Sequence, residues 1–189
     1  MNSSQLLEGL RFMRANPATR IDMDTLPVPS LYEATSASAI ASAEVAMGLK
    51  LPALLERVYE DVGNGGFGPG GGLIGLMDGY PDSDGRCHPD KYNFLRSQGW
   101  KKGLLPLWDW GGAAWSCVDT STSEGTVITM DESGYTLTRF SLASWLEDWT
   151  RGVDLHSEIF EIGTVSILSP FTRRPTMVKR RVRAKGKSL

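Results

Sequence analysis

The stretch LKLPALLERVYEDVGNGGFGPGGGLIGL, residues 49–76, decides the fold. Pro52 suits a first helical turn, where its missing N–H would be unpaired anyway. Leu54, Leu55, Val58, Tyr59 and Val62 recur at helical spacing, which predicts a short helix with one face on a core. Gly63 is expected to cap it in the left-handed conformation, and Asn64-Gly65-Gly66 is a turn signal, since Asn and Gly accept positive φ at least cost. An apolar strand is expected at residues 73–77. Gly63, Gly65 and Gly68 fit G-x-G-x-x-G as a bare pattern, but a dinucleotide fingerprint follows a strand and opens a helix. This one follows a helix, and no Lys-Ser/Thr pair completes a P-loop, so phosphate binding is rejected.

Outward from this stretch the chain reads as an α+β domain. Upstream, Leu6, Leu7, Leu10 and Met13 predict a helix ended at Asn16-Pro17, and residues 21–32, with Pro27 and Pro29, read as extended. A second helix spans about 36–47, with Ile40, Ala43 and Met47 on one side and Gly48 closing it. Downstream come an acidic loop at 78–85 and a helix at 89–98. Four short strands follow, at 104–110, 114–119, 126–130 and 135–139, separated by Gly, Ser and Asp-rich turns, which is the pattern of an antiparallel meander. Leu142, Trp145, Leu146 and Trp149 then form the clearest amphipathic stripe, in a helix that starts near Ser141 and is capped by Gly152. Residues 159–168 read as a further strand or a surface segment.

In the first strand, strict alternation puts Leu104, Pro106, Trp108 and Trp110 on one face and Leu105, Leu107 and Asp109 on the other. At least one of the two tryptophans is expected in the core.

Leu51-Pro52, the helix through Tyr59, Asn64-Gly65-Gly66 and the run from Leu105 to Gly111 (LPLWDWG) together resemble the SUKH superfamily in its Smi/Knr-type branch. The resemblance covers about residues 36–152. It implies one α+β domain, with helices packed on a mainly antiparallel sheet, in which Pro52, Asn64, Gly65, Gly66, Trp145 and Trp149 are structural. It divides the chain into an N-terminal helix and extended arm (1–35), the SUKH-like domain (36–152), a C-terminal extension (153–172) and a basic tail (173–189). Many bacterial members are immunity proteins that bind and neutralise a toxin, and some Smi/Knr-type proteins are regulatory scaffolds for endogenous partners. Both functions are carried forward as expectations.

Composition bounds these expectations. With 189 residues, 41% hydrophobic content and six Trp, the chain can bury one proper core. No signal-peptide pattern and no run of eighteen apolar residues is present, so a cytoplasmic location without membrane contact is expected. Residues 173–189 hold eight of the 20 Lys and Arg and none of the 22 acids, leaving twelve basic against 22 acidic residues in the body, a net charge of −10. An acidic body favours a basic partner, such as a nuclease, and also keeps a protein soluble. The tail lacks interleaved aromatics and is read as a solvated end or an arm folded back on the body, so nucleic acid is not an expected partner.

Little in the sequence supports catalysis, a cofactor or a metal. Cys87 and Cys117 lack C-x-x-C spacing and are read as free thiols, with one disulfide left open. Cys87-His88 and the distant His156 assemble no constellation, which keeps a hydrolase as a third and lesser reading. Asp82-Ser83-Asp84-Gly85 imitates a calcium loop, yet aligning Gly85 with the invariant glycine puts Tyr80 at the first ligand position and Lys91 at the twelfth, where a carboxylate pair is required. The candidates for toxin contact are therefore the acidic loop (Asp78, Asp82, Asp84) and the hairpin bearing Trp108, Asp109, Trp110 and Asp119, if its edge is open.

Overall fold

The computed structural model describes residues 2–16, 32–111, 114–131, 134–168 and 173–183. The element order is α1 (Ser3–Ala15), α2 (Ala37–Met47), α3 (Ala53–Asp61), α4 (His88–Ser97), β1 (Leu104–Gly111), β2 (Ala114–Asp119), β3 (Thr126–Asp131), β4 (Gly134–Ser141), α5 (Leu142–Thr150), α6 (Leu155–Ile159), β5 (Phe160–Leu168) and β6 (Pro175–Arg183). The extended arm expected at residues 21–32 lies, except for Tyr32, outside the described residues.

Four of the described helices, α1, α2, α5 and α6, start at a side chain that caps the orphan amides of the first turn, whereas α3 and α4 start with a proline at or just inside the first turn. Asn2 and Gln5 form a reciprocal capping box on α1, Ser36 accepts from Ala39 N on α2, and Ser141 accepts from Ser144 N on α5. The apolar stripes then turn inward. Leu6, Leu7, Leu10 and Met13 of α1, Leu55, Val58 and Tyr59 of α3, and Leu142, Trp145, Leu146 and Trp149 of α5 are all buried in one core. α1 packs against α5 and α3, so it belongs to this core although it precedes the family-like region. Gly48 closes α2 at φ +63° and Gly152 follows α5 at φ +79°, both as the sequence predicts.

Four strands form an antiparallel sheet in the order β1-β2-β3-β4, which is the predicted meander. Its bounds differ from the sequence expectation by one or two residues. The alternation predicted for β1 fails. Register shifts between Pro106 and Trp108, and again between Asp109 and Gly111, make the strand bulge, so the extra residue resets which side chains face the core. Leu105, Leu107, Trp108 and Trp110 consequently all join the main core, while Leu104 packs with Cys117 and Ile128 in a small cluster. Trp145 lies between the two β1 tryptophans, with ring centroids 6.1 Å from Trp108 and 6.4 Å from Trp110.

Two local expectations are also corrected. Gly63 is not left-handed. The helix ends at Val62 in a right-handed conformation, and the glycine is needed because a Cβ there would come 2.8 Å from Tyr32 O and 2.9 Å from Arg14 Nε. The turn itself is made by Gly65 and Gly66, at φ +91° and +80°. Residues 73–77 are not a strand either. Only Leu73 forms a bridge, to Trp108, because after Ile74 the chain leaves β1 to bond elsewhere, with Gly75 N donating to Tyr80 O and Leu76 N to the Asn64 side chain.

The C-terminal region departs furthest from expectation. Residues 160–168 are a strand, and most of the basic tail is its partner: β5 and β6 pair antiparallel over nine positions, from Phe160 opposite Arg183 to Leu168 opposite Pro175.

Candidate partner-binding face

Asn64 shapes the loop that follows the glycine turn. Its buried side chain accepts a hydrogen bond from Leu76 N (2.8 Å) and donates to Met77 O (3.2 Å). Its main chain accepts from Tyr80 N (2.9 Å) and donates to Glu33 O (3.0 Å). One residue thus staples the loop to the end of α3 and to the segment before α2. Gly75 permits the staple, since a Cβ there would collide with Tyr80 N and Asn64 O. The loop therefore presents Met77, which is 47% exposed, and Asp78, at φ +60°, to solvent. Beside them lies an open cavity of about 480 Å³, lined by Tyr32, Glu33, Thr35, Ser38, Met77 and Asp78 among others.

The far end of the loop is tied down by charge. Asp82 Oδ1 accepts from Asp84 N (2.9 Å) and Arg86 N (2.8 Å), and Oδ2 lies 2.7 Å from Lys91 Nζ on α4. Both side chains of this ion pair are buried. Lys91 also sits 3.1 Å from Asp84 Oδ2 and 4.1 Å from the centroid of the Trp115 ring. Lys91, first by its hydrogen bond and then by its charge, holds the half-exposed Asp84 carboxyl below its ordinary range. Ser83 donates to Asp109 Oδ2 (2.6 Å), and Asp109 faces Trp115 across the β1–β2 ladder. Asp82, Asp84 and Asp109 thus meet in one constellation.

The remaining sequence candidates fall elsewhere. Trp108 and Trp110 are core residues, 1% and 5% exposed, and cannot touch a partner in this fold. Asp82 is likewise buried, as the anchor of its loop. Asp119 lies at the opposite end of the β1–β2 hairpin from Asp109, where it accepts from the Ser121 amide and hydroxyl. Burial pushes its carboxyl up, but these bonds and the Lys101 ammonium outweigh burial and hold it low. The edge of β1 is not open: Gly71 N donates to Asp109 O, Ile74 N donates to Leu107 O, and Leu73 bridges to Trp108. Pro52, Asn64, Gly65, Gly66, Trp145 and Trp149 are buried.

The residues from which a hydrolase would be built are committed to packing. His88 is fully buried, with Nε2 2.6 Å from Pro106 O and Nδ1 2.9 Å from the Tyr59 hydroxyl, which itself donates to Ile74 O (2.7 Å). Burial holds the ring neutral by lowering its pKa to about 4. A neutral ring whose proton sits on Nε2 donates to Pro106 O. Cys87 donates through its thiol to Gly79 O, and burial pushes that thiol up. Both cysteines are free. Among the described residues no group of three His, Cys, Asp or Glu could hold a metal ion, and no helix is long and apolar enough to cross a membrane.

Sequence reasoning missed Glu33, Met77, Lys91 and Trp115. Trp115 had only a near signal, because a hairpin centred on Gly111-Gly112 sets Asp109 against Ala114 and the register shift before Gly111 brings Trp115 there instead. Lys91 had none, since its partner lies nine residues away across a loop.

A helical layer on a four-stranded antiparallel meander, joined through an Asn-Gly-Gly turn and a segment at 71–74 that covers the first strand's edge, defines the class of α+β domain to which this chain conforms. The sequence model of the SMI1 / KNR4 family (SUKH-1) matches residues 34–151, from the segment before α2 through α5, and the chain belongs to that family. Comparison with curated proteins gives no match.

Proposed function

We propose that this protein is a cytoplasmic immunity protein, which binds a cognate polymorphic toxin and neutralises it by direct contact without chemistry. The contact surface is the acidic face built on residues 77–86: Asp78 and Met77 with Glu33 around the cavity, and Asp84 with Asp109 at the other end. Family membership supports the binding role, and the charge of the body supports a basic toxin such as a nuclease. The observation that carries the choice of face is its rigidity. Exposed carboxylates and an exposed Met stand on a loop fixed by Asn64 at one end and by the Asp82–Lys91 pair at the other, so little ordering entropy is lost on binding.

The test is calorimetry against the C-terminal domain of a toxin-like protein encoded beside this gene, coupled to growth rescue. Glu33→Lys, Asp78→Asn and Asp109→Asn are the variants, and Asn at position 78 tolerates the left-handed backbone. The expected result is tight one-to-one binding with rescue, weakened by about tenfold or more in the combined variant as the complementary charge is lost. Unchanged affinity in the combined variant would remove the acidic face from the proposal. Neither binding nor rescue, with both proteins folded, would favour a scaffold for endogenous partners.

A further inference from the structure

The β5–β6 ribbon is built differently from the rest of the molecule. Phe160 anchors its base, stacking edge-on against Trp110 with centroids 6.2 Å apart. Beyond that base, Thr164, Ser166, Leu168, Met177 and Lys179 share one face of the ribbon and are exposed, and Ile167 on the other face is 37% exposed. A two-stranded ribbon with an exposed face is marginally stable in water, and among the described residues each of its strands has one backbone edge without a strand neighbour.

The two edges are not equivalent. β6 carries Lys179, Arg180, Arg181 and Arg183, the kind of charged edge that blocks strand addition. β5 reads Ile-Gly-Thr-Val-Ser-Ile-Leu from 162 to 168, without a single charge or proline and rich in β-branched residues. Among the described residues β6 is its sole strand neighbour.

We infer that β5 is a dimerisation edge: the free β5 edges of two copies pair antiparallel and join the two ribbons into one sheet of order β6-β5-β5-β6. A two-fold pairing centred near Val165 opposes only uncharged residues between 162 and 168. It also keeps the two basic β6 strands about 14 Å apart, three strand spacings, which exceeds the Debye length of roughly 8 Å at physiological salt. Pairing through β6 would instead set cation against cation. A second copy suits β5 better than nucleic acid does, because a phosphate backbone offers nothing to Ile167 and Leu168 and β5 offers nothing to phosphate. This inference is independent of the toxin contact, which lies on the body.

The experiment is sedimentation of the full chain over about 1 to 100 µM, a range that captures a small interface. The wild type is expected to move from monomer to dimer in that range, and the dimer to hold or tighten in ~0.5 M salt as repulsion between the β6 strands is screened. Ser166→Lys with Ile167→Lys is expected to weaken the dimer by at least about tenfold, because lysine on an edge obstructs pairing. Met177→Lys, on β6, should leave it intact. Amide exchange of β5 gives a second reading on the unaltered protein, with protection rising as concentration rises. A wild type that stays monomeric with β5 protection independent of concentration would overturn the inference. So would a dimer that survives the double variant, or one that dissolves in salt, since the last would mark ribbons docked by charge on an acidic body. Capture of a labelled duplex by a monomeric chain would also overturn it, in favour of a nucleic-acid ribbon.

Discussion

The sheet of β1–β4 and the ribbon of β5–β6 are both antiparallel, and they share few other properties. The four-stranded sheet packs Trp108 and Trp110 against Trp145 of α5, and its first edge is covered by residues 71–74. The ribbon has nine ladder positions yet leaves Leu168 and Met177 66% and 64% exposed. Strand pairing alone adds little net stability, since each backbone bond replaces one to water, whereas removal of apolar surface from water drives folding. The comparison therefore predicts that stability resides in the body and that the ribbon is held mainly from its base.

The largest effect that could break this comparison comes from Trp145→Ala. Truncating a fully buried indole between two others is expected to cost about 3 to 5 kcal/mol and to lower Tm by about 10 °C or more. Thermal unfolding followed by Trp fluorescence checks it, and a loss under 1 kcal/mol would mean that the tryptophan cluster is not the centre of the core.

Next is Lys91→Met, which strands the buried Asp82 carboxylate. The expected cost is about 3 kcal/mol in urea unfolding, with partial recovery in the double variant Asp82→Asn/Lys91→Met. Additive single effects would show that the pair does not couple and that the loop is not fixed by it.

The third concerns pH. Burial lowers the folded pKa of His88 to about 4, against roughly 6.5 in the unfolded chain, so between those values the unfolded state binds more protons. Stability from this group is complete above about pH 6.5 and is lost as pH falls toward 4, by about 2 kcal/mol between pH 7 and 5. Paired urea titrations of the wild type and His88→Gln check it, and the variant should lack this part of the acid loss.

The smallest effect sharpens the contrast from the other side. Met177→Ala, on the exposed ribbon, is expected to change monomer stability by less than about 0.5 kcal/mol. A larger loss would mean that the ribbon folds as part of the body.

Much of the body was legible in the sequence, because local chemistry and periodicity agreed there. Ser36, Ser141, Gly48 and Gly152 mark helix ends in their own right, and the Leu142, Trp145, Leu146 and Trp149 stripe places α5 without outside help. What escaped depended on partners distant in sequence. The two bulges of β1 are set by its register with β2, and they turn Trp108 and Trp110 from surface candidates into core. Asp82 looks like any loop aspartate until Lys91 lies against it. The basic tail gives no hint of β6, because Lys and Arg are poor strand formers and the pairing is supplied by β5. Of the proposed contact face, the sequence identified the loop and its acids but not the cavity, which needs the segment at Tyr32 and Glu33 to come alongside.

The Asn64 staple has a consequence for how recognition can diversify. The backbone of the presenting loop is dictated by the Asn64 amide and by glycines, so the outward side chain at 77 is decoupled from the shape that displays it. New specificities can then be written on Met77 with the frame left unaltered, while position 78, at φ +60°, is restricted to residues such as Asp, Asn or Gly.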